Sequence, residues 1–264
     1  MINDPMSVPS VSRLRMPRVT SPYLSARDGH GRRMVPAHAV TEFHAQGFLS
    51  MTAMARRSEI AQVRTIIDDL YREKGWEYGS IGNPSRLAPE LRASPVYRSC
   101  LAIAQQLFGK WTGYACDHAL YKEPHGKHGT PWHQDAAFHR KYSPNNTIIF
   151  WIPLQDVTPD NGCMRFIPLR EHQVLLPHRP FYPNDYGSMM TDDVDSAHAV
   201  SCPLRAGDVT VHGPLTLHAA FANSTPFIRR TWTITFTPWG RWACLTPARL
   251  LQRARLLHDR VTAS

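Results

Sequence analysis

Residues 205–237 read RAGDVTVHGPLTLHAAFANSTPFIRRTWTITFT. Three short runs lie in it, Asp208–His212, Thr216–Ala222 and Thr231–Thr237. Gly213-Pro214 parts the first two, and Asn223-Ser224-Thr225-Pro226 parts the second pair. Runs of this length, rich in Val, Thr, Ile and aromatics and bounded by turn residues, read as strands that fold back on one another. Tyr114–Lys122, Thr147–Pro153 and Met164–Pro168 repeat the pattern upstream. A mainly β core is therefore expected over about 112–240, as a sandwich or barrel.

Helices are expected before this core and after it. EIAQVRTIIDDLYREK (59–74) sets Ile60, Val63, Ile66, Ile67, Leu70 and Tyr71 on one helical face. Residues 95–109 read as a second helix, with Ser94 as N-cap, Pro95 in the first turn and Gly109 at the stop. A short helix is expected to end at Gly47, between Phe43 and Phe48. A C-terminal helix is expected at 246–259. Residues 1–36, rich in Pro, Ser and Arg, read as a flexible or loosely packed segment, leaving 37–264 as a single domain. The polar stretch 174–200 has the look of a functional loop.

Composition excludes several classes. No stretch approaches 18 apolar residues, so no membrane span is expected. The N-terminus lacks the apolar core of a secretory signal. Five scattered cysteines without a CxxC read as reduced thiols in a cytoplasmic protein. The net charge is +9, but residues 1–33 carry +4 of it and residues 248–260 carry +3. The body is nearly neutral, which argues against nucleic acid as partner, since a duplex binder carries its basic stripe on the folded face.

The chemistry sits in a split quartet. His133 and Asp135 lie two apart in TPWHQDAAFH (130–139), and His218 follows 85 residues later. In a strand, residues two apart point the same way, so His133 and Asp135 can face one point while Gln134 faces away. Two histidines and a carboxylate that leave coordination positions open form the triad of non-haem Fe(II) oxygenases. Arg229, 11 residues after His218, suits a dicarboxylate, because its planar fork binds a carboxylate through two parallel hydrogen bonds. An isolated HxD among 14 histidines would mean little; the combination is more specific. His212 rivals His218 as third ligand, and Arg230 rivals Arg229. His218 is preferred because it leads directly into the arginine strand, and only one of two adjacent strand residues can face the barrel interior.

The chain resembles the phytanoyl-CoA dioxygenase family over roughly residues 40–240. The segments that carry the resemblance are WHQD (132–135), FWIPLQDVTPDNGCMRFIP (150–168), GDVTVHGPLTLH (207–218) and the Asn223-Ser224 pair followed by Arg229. The resemblance implies a double-stranded β-helix, or jelly-roll, core with flanking helices. It implies Fe(II) held by His133, Asp135 and His218, with 2-oxoglutarate anchored by Arg229 and Trp151 beside it. It further implies oxidative decarboxylation of 2-oxoglutarate with O2 as second co-substrate, giving succinate, CO2 and an oxidised substrate. Related halogenases have a small residue in place of the carboxylate, so Asp135 points to hydroxylation or a further oxidation. The chain departs from the family pattern in two places. Leu169-Arg170-Glu171-His172 stands where Gly-Ser-His is common, and Ala219-Ala220 where Gly-Ser is common.

The expected substrate is a small organic molecule, with a secondary-metabolite intermediate as first choice. Tyr121, Lys122, Trp132, Phe138 and His139 are candidates to line its pocket. The alternatives are a cupin-like binding protein without turnover and an oxygenase acting on a carrier-bound or nucleic-acid substrate. A monomer or homodimer is expected.

Overall fold

The computed structural model describes residues 23–24, 26–27, 33–74, 79–138, 147–168, 174–181, 189–192 and 194–238. Short strands β1 (Tyr23–Leu24), β2 (Ala26–Arg27) and β3 (Arg33–Met34) precede helix α1 (Ala37–Gln46) and strand β4 (Phe48–Thr52). Helix α2 (Arg57–Lys74) leads to β5 (Ser80–Gly82), then α3 (Pro84–Leu87), α4 (Glu90–Ala93) and α5 (Pro95–Phe108). The core follows with β6 (Thr112–Lys122), β7 (Thr130–His133), a 3-10 turn (Asp135–Ala137), β8 (Ile148–Pro153) and β9 (Met164–Phe166). It closes with β10 (Arg179–Pro180), β11 (Met189–Met190), β12 (Val200–Cys202), β13 (Val209–His212), β14 (His218–Ala220) and β15 (Arg229–Pro238).

Local chemistry accounts for the helix ends. Ser94 Oγ accepts the Tyr97 amide at 3.1 Å, and Pro95 opens α5 where its missing N–H costs nothing. Gly47 closes α1 in the left-handed region, φ 80°, and its amide reaches the Phe43 carbonyl. Both match the sequence expectation, as does the apolar face of α2, where Ile60, Val63, Ile67, Leu70 and Tyr71 are buried.

The strands form a jelly roll of two facing sheets. A seven-stranded sheet has the order β1-β4-β13-β8-β15-β6-β5, and a four-stranded sheet the order β12-β9-β14-β7. All pairings in them are antiparallel except β1 with β4, where Tyr23 stands opposite Met51. Strand alternation divides the large sheet into two faces. Phe150, Ile152, Val209, Val211, Trp232, Ile234 and Phe236 point outward into the main core with α2 and α5. Each large apolar side chain removed from water there contributes about 1.5–3 kcal/mol. Asp117 ties this layer together, accepting from Ser85 N (3.1 Å), Ser85 Oγ (3.0 Å), Tyr114 Oη (2.6 Å) and Trp232 Nε1 (2.9 Å). The other face points into the barrel. Its chemistry is that of Trp151, His212, Thr233, Thr235 and Arg229, which line an internal cavity.

Two expected elements fall elsewhere. The C-terminal helix at 246–259 lies outside the described residues, as do Arg170 and His172. In the stretch 174–200, β10 pairs with β11, and Thr191 N donates to the Trp132 carbonyl at 2.9 Å, so its described parts cover the β7 edge. No described helix is long and apolar enough to cross a membrane.

Candidate active site

The internal cavity has a volume of about 330 Å³ and opens between the sheets. His133, Asp135 and His218 meet on its wall, and Arg229 and Trp151 line it from the large sheet. His218 on β14 stands directly opposite His133 on β7. The next register pair is Ala220 with Thr130, an irregularity that spends one extra residue on β7. It lets both Thr130 and His133 line the cavity.

Asp135 arrives differently from the sequence expectation. β7 ends at His133, so Asp135 does not share its strand face. It opens the 3-10 turn instead, and that turn is held by Ala136 N donating to the Pro214 carbonyl at 2.9 Å. Gln134 does face away, and it is fully buried. Its amide nitrogen donates to Val174 O (2.9 Å) and Leu215 O (2.7 Å), and its carbonyl accepts Leu176 N (2.8 Å). This residue staples the loop at 174–176 and the turn before His218 to the site.

One Nε2 from each histidine and one carboxylate oxygen lie within 4.8 Å of one another. Asp135 Oδ1 is 3.8 Å from both His133 Nε2 and His218 Nε2. In both histidines Nδ1 donates to the carbonyl two residues earlier, Pro131 (2.8 Å) and Thr216 (2.9 Å). That bond fixes the tautomer and leaves Nε2 bare toward the centre, as a metal ligand requires. Burial pushes the pKa of both imidazoles down, His218 well below its usual value, so they are neutral at neutral pH. Burial alone would raise Asp135, but the surrounding imidazoles and a hydrogen bond from His212 hold it well below the usual carboxylate range. Neutral nitrogen donors with an ionised oxygen donor fit a divalent iron.

His212 is not part of this convergence. Its Nε2 lies 3.1 Å from Asp135 Oδ2, the oxygen turned away from the centre. Phe166 packs on both His212 and His218, at centroid distances of 5.4 and 6.0 Å, and stacks on Phe48 at 4.6 Å.

Arg229 and Arg230 part as strand alternation demands. Arg229 is 2% exposed and faces the cavity. One of its terminal nitrogens donates to Thr231 Oγ1, its guanidinium carbon lies 5.6 Å over the Trp151 ring, and Nε has no partner. Burial lowers its pKa from 12.5 to about 10. Arg230 faces outward and donates from Nε to Asp68 Oδ1 at 2.7 Å. Gly162, at φ 91°, makes room for the buried arginine. A Cβ there would lie 2.9 Å from the Phe221 carbonyl, 3.3 Å from Lys122 Cδ and 3.5 Å from Arg229 Nε.

The expected substrate residues scatter. Phe138 lines the cavity, edge-on to His133 at 5.6 Å. Tyr121 does not, because alternation on β6 turns Leu120 inward; the Tyr121 hydroxyl donates to Asp68 beneath α2. Trp132 packs outside the small sheet, with the Arg165 guanidinium 4.7 Å over its ring. Lys122 stands opposite Arg229 in register and donates to the Phe221 carbonyl at 2.7 Å, outside the set of residues that line the cavity. His139 lies outside the described residues. The side chains that do line the cavity, Cys116, His118, Leu120, Ile149, Met164, Thr233 and Thr235, were not singled out in the sequence. For all but Met164, which lies on β9, parity on β6, β8 and β15 relative to Arg229 was the signal that could have found them.

A jelly roll with two histidines, a carboxylate and a buried arginine around one cavity defines the class of mononuclear iron oxygenase folds. Residues 43–231 match the phytanoyl-CoA dioxygenase (PhyH) family model, and the chain belongs to that family. It is 28% identical over 141 residues to phytanoyl-CoA dioxygenase domain-containing protein 1 of Mus musculus, covering 48% of each chain. With the Danio rerio protein of that name it is 28% identical over 121 residues, covering 43% of this chain and 41% of the other. The chain thus spans about half the length of the curated relatives it matches. Among solved structures it is similar to EvdO2 from Micromonospora carbonacea var. aurantiaca complexed with 2-oxoglutarate. The TM-score is 0.70 and the identity 29%, over 78% of this chain and 91% of that one. SnoK, an alpha ketoglutarate dependent carbocyclase from nogalamycin biosynthesis, shares the fold at TM-score 0.62 and 24% identity, over 77% and 84% of the two chains.

Proposed function

We propose that the chain is an Fe(II)- and 2-oxoglutarate-dependent oxygenase that hydroxylates, or further oxidises, an unactivated C–H bond of a small organic molecule, releasing succinate and CO2. The observation that carries this reading is the convergence of His133 Nε2, Asp135 Oδ1 and His218 Nε2 on a cavity that a buried arginine also lines. His133, Asp135 and His218 would hold the iron. Arg229, whose Nε has no protein partner, would pair with the far carboxylate of 2-oxoglutarate, beside Trp151. EvdO2, at 29% identity, was solved with 2-oxoglutarate, which supports the same co-substrate here. Dioxygen would be the oxidant, and iron with 2-oxoglutarate would activate it when bound; the chain supplies placement and exclusion of water.

The cavity wall supports a substrate whose inserted part is uncharged. Among the described lining residues, the charged ones are Asp135 and Arg229, both already assigned. Leu120, Ile149, Met164 and Phe138 offer apolar contact, and Thr130 and Thr235 offer hydroxyls. A substrate carboxylate or phosphate buried against that wall would lose its hydration without a partner, which costs several kcal/mol (of order 2–7 for neutral polar groups and more for ions). An uncharged alkyl or alicyclic unit, such as a secondary-metabolite intermediate would present, fits. The test is anaerobic reconstitution with Fe(II) and 2-oxoglutarate, followed by a succinate-release screen over candidate metabolites in air. A visible charge-transfer band and succinate stimulated by an uncharged compound are expected. Absence of the band would leave a binding protein without turnover.

A further inference from the structure

We propose that His212 is a positioning residue that restricts Asp135 to one-oxygen coordination, which keeps a position free for dioxygen. The inference deepens the proposed iron site and rests on that reading. The two carboxylate oxygens of Asp135 have different surroundings. Oδ1 is equidistant, at 3.8 Å, from the two histidine Nε2 atoms that face the centre. Oδ2 is 3.1 Å from His212 Nε2, and that hydrogen bond takes up one of its two lone pairs and holds the carboxylate plane.

His212 cannot easily swing away from that task. It is 2% exposed, and its ring lies 5.4 Å from Phe166 and 4.4 Å from His218, centroid to centroid. Nδ1 has no partner, so the bond to Asp135 is the polar anchor of the imidazole. The residue ends β13 and is followed by the turn that positions Asp135 itself. Gly213 N and Thr216 Oγ1 both donate to the Gly47 carbonyl, at 2.9 and 2.7 Å, and Pro214 O accepts Ala136 N. Histidine and carboxylate are thus placed by one pinned turn.

Coordination counting supplies the consequence. An octahedral iron offers six positions, of which the triad takes three when Asp135 binds through one oxygen. A keto acid chelating through two atoms leaves one for dioxygen. Were Asp135 to bind through both oxygens, that last position would be gone. Second-sphere hydrogen bonds of this kind orient a ligand, and their loss lowers metal affinity by about 10–100-fold.

The test uses the Mn(II) form of the full chain, with water-proton relaxation reading how many waters the metal carries. Wild type should show about three waters alone and about one with 2-oxoglutarate. His212→Phe, which keeps a ring against Phe166, should show about two and then close to none, with metal affinity down by about 10–100-fold. His212→Leu is the second apolar variant should the first misfold, as judged by thermal melting. His212→Gln places an amide N–H near the position of Nε2 and should restore the wild-type water count. A folded apolar variant with unchanged water counts and affinity overturns the positioning role while leaving the iron site intact. Wild-type protein that binds no Mn(II) overturns both, and the two failures are thus distinguishable.

Discussion

Replacing Arg229 by Met should separate the stability of the empty protein from its affinity for 2-oxoglutarate. Burial lowers the arginine from 12.5 to about 10, equivalent to roughly 3 kcal/mol of desolvation borne by the charged side chain. Methionine removes that burden and keeps most of the stem volume. It also strands Thr231 Oγ1, a fully buried acceptor of the arginine, which costs about 1–2 kcal/mol. The empty variant should therefore be as stable as wild type or more so, by about 1–2 kcal/mol, and melt up to about 4–8 °C higher. Binding should move the other way. Losing a two-pronged, charge-assisted contact to a carboxylate costs about 3–4 kcal/mol, a few hundred-fold in Kd. Titration of the Mn(II) protein with 2-oxoglutarate by calorimetry, with melting curves of the metal-free forms, reads both quantities. Arg229→Lys keeps the charge but loses the fork and should fall between. A Kd within about 5-fold of wild type in folded Arg229→Met would refute the assignment of this arginine to the co-substrate.

Asp135→Ala should retain the fold and lose Fe(II) binding and succinate formation; turnover by purified, iron-loaded variant would count against the triad. Gln134→Leu deletes three buried hydrogen bonds and should destabilise by about 3–5 kcal/mol, seen as a lower melting temperature before any effect on metal binding. Lys122 sets a pH dependence. Burial, then the charge of Arg229, lowers its pKa from 10.5 to about 7. Below about pH 7 both folded and unfolded lysines are protonated, and the folded state carries the full penalty. As pH rises through 7 the folded lysine loses its proton while the unfolded one keeps it to about 10.4, so stability rises with pH in that window. Lys122→Met should melt higher than wild type at about pH 6, and the gap should shrink by about pH 9.

The sequence disclosed what periodicity and caps control, and lost what register and turns control. Ser94, Pro95, Gly109 and Gly47 mark helix ends through backbone chemistry that is local, and the structure follows them. Strand alternation allowed only one of Arg229 and Arg230 to face the interior, and the family resemblance implied that it is Arg229. Asp135 was placed on a strand because a two-residue spacing permits it; a hydrogen bond from Ala136 to Pro214, far off in sequence, makes the turn instead. His212 and His218 share the barrel interior, so nothing local says which Nε2 faces the centre and which faces a carboxylate. Tyr121 and Trp132 were judged as aromatic residues near the site, without asking which neighbour alternation turned inward. Strand β4 went unread because FLSMT follows a helix with no turn signal beyond Gly47.

The proposed iron ligands His133 and His218 hang from the four-stranded sheet, with Asp135 in the turn that follows it, while Arg229 and Trp151 hang from the seven-stranded one. A molecule that chelates the iron at one end and pairs with Arg229 at the other is then a removable brace between the two layers of the domain. Its contribution to the stability of the folded domain would grow with its concentration as RT ln(1 + [L]/Kd), and any strengthening of iron binding by 2-oxoglutarate would be matched by an equal strengthening of 2-oxoglutarate binding by iron. Succinate, one carbon shorter and without the keto oxygen, would brace the two layers more weakly than the 2-oxoglutarate it comes from.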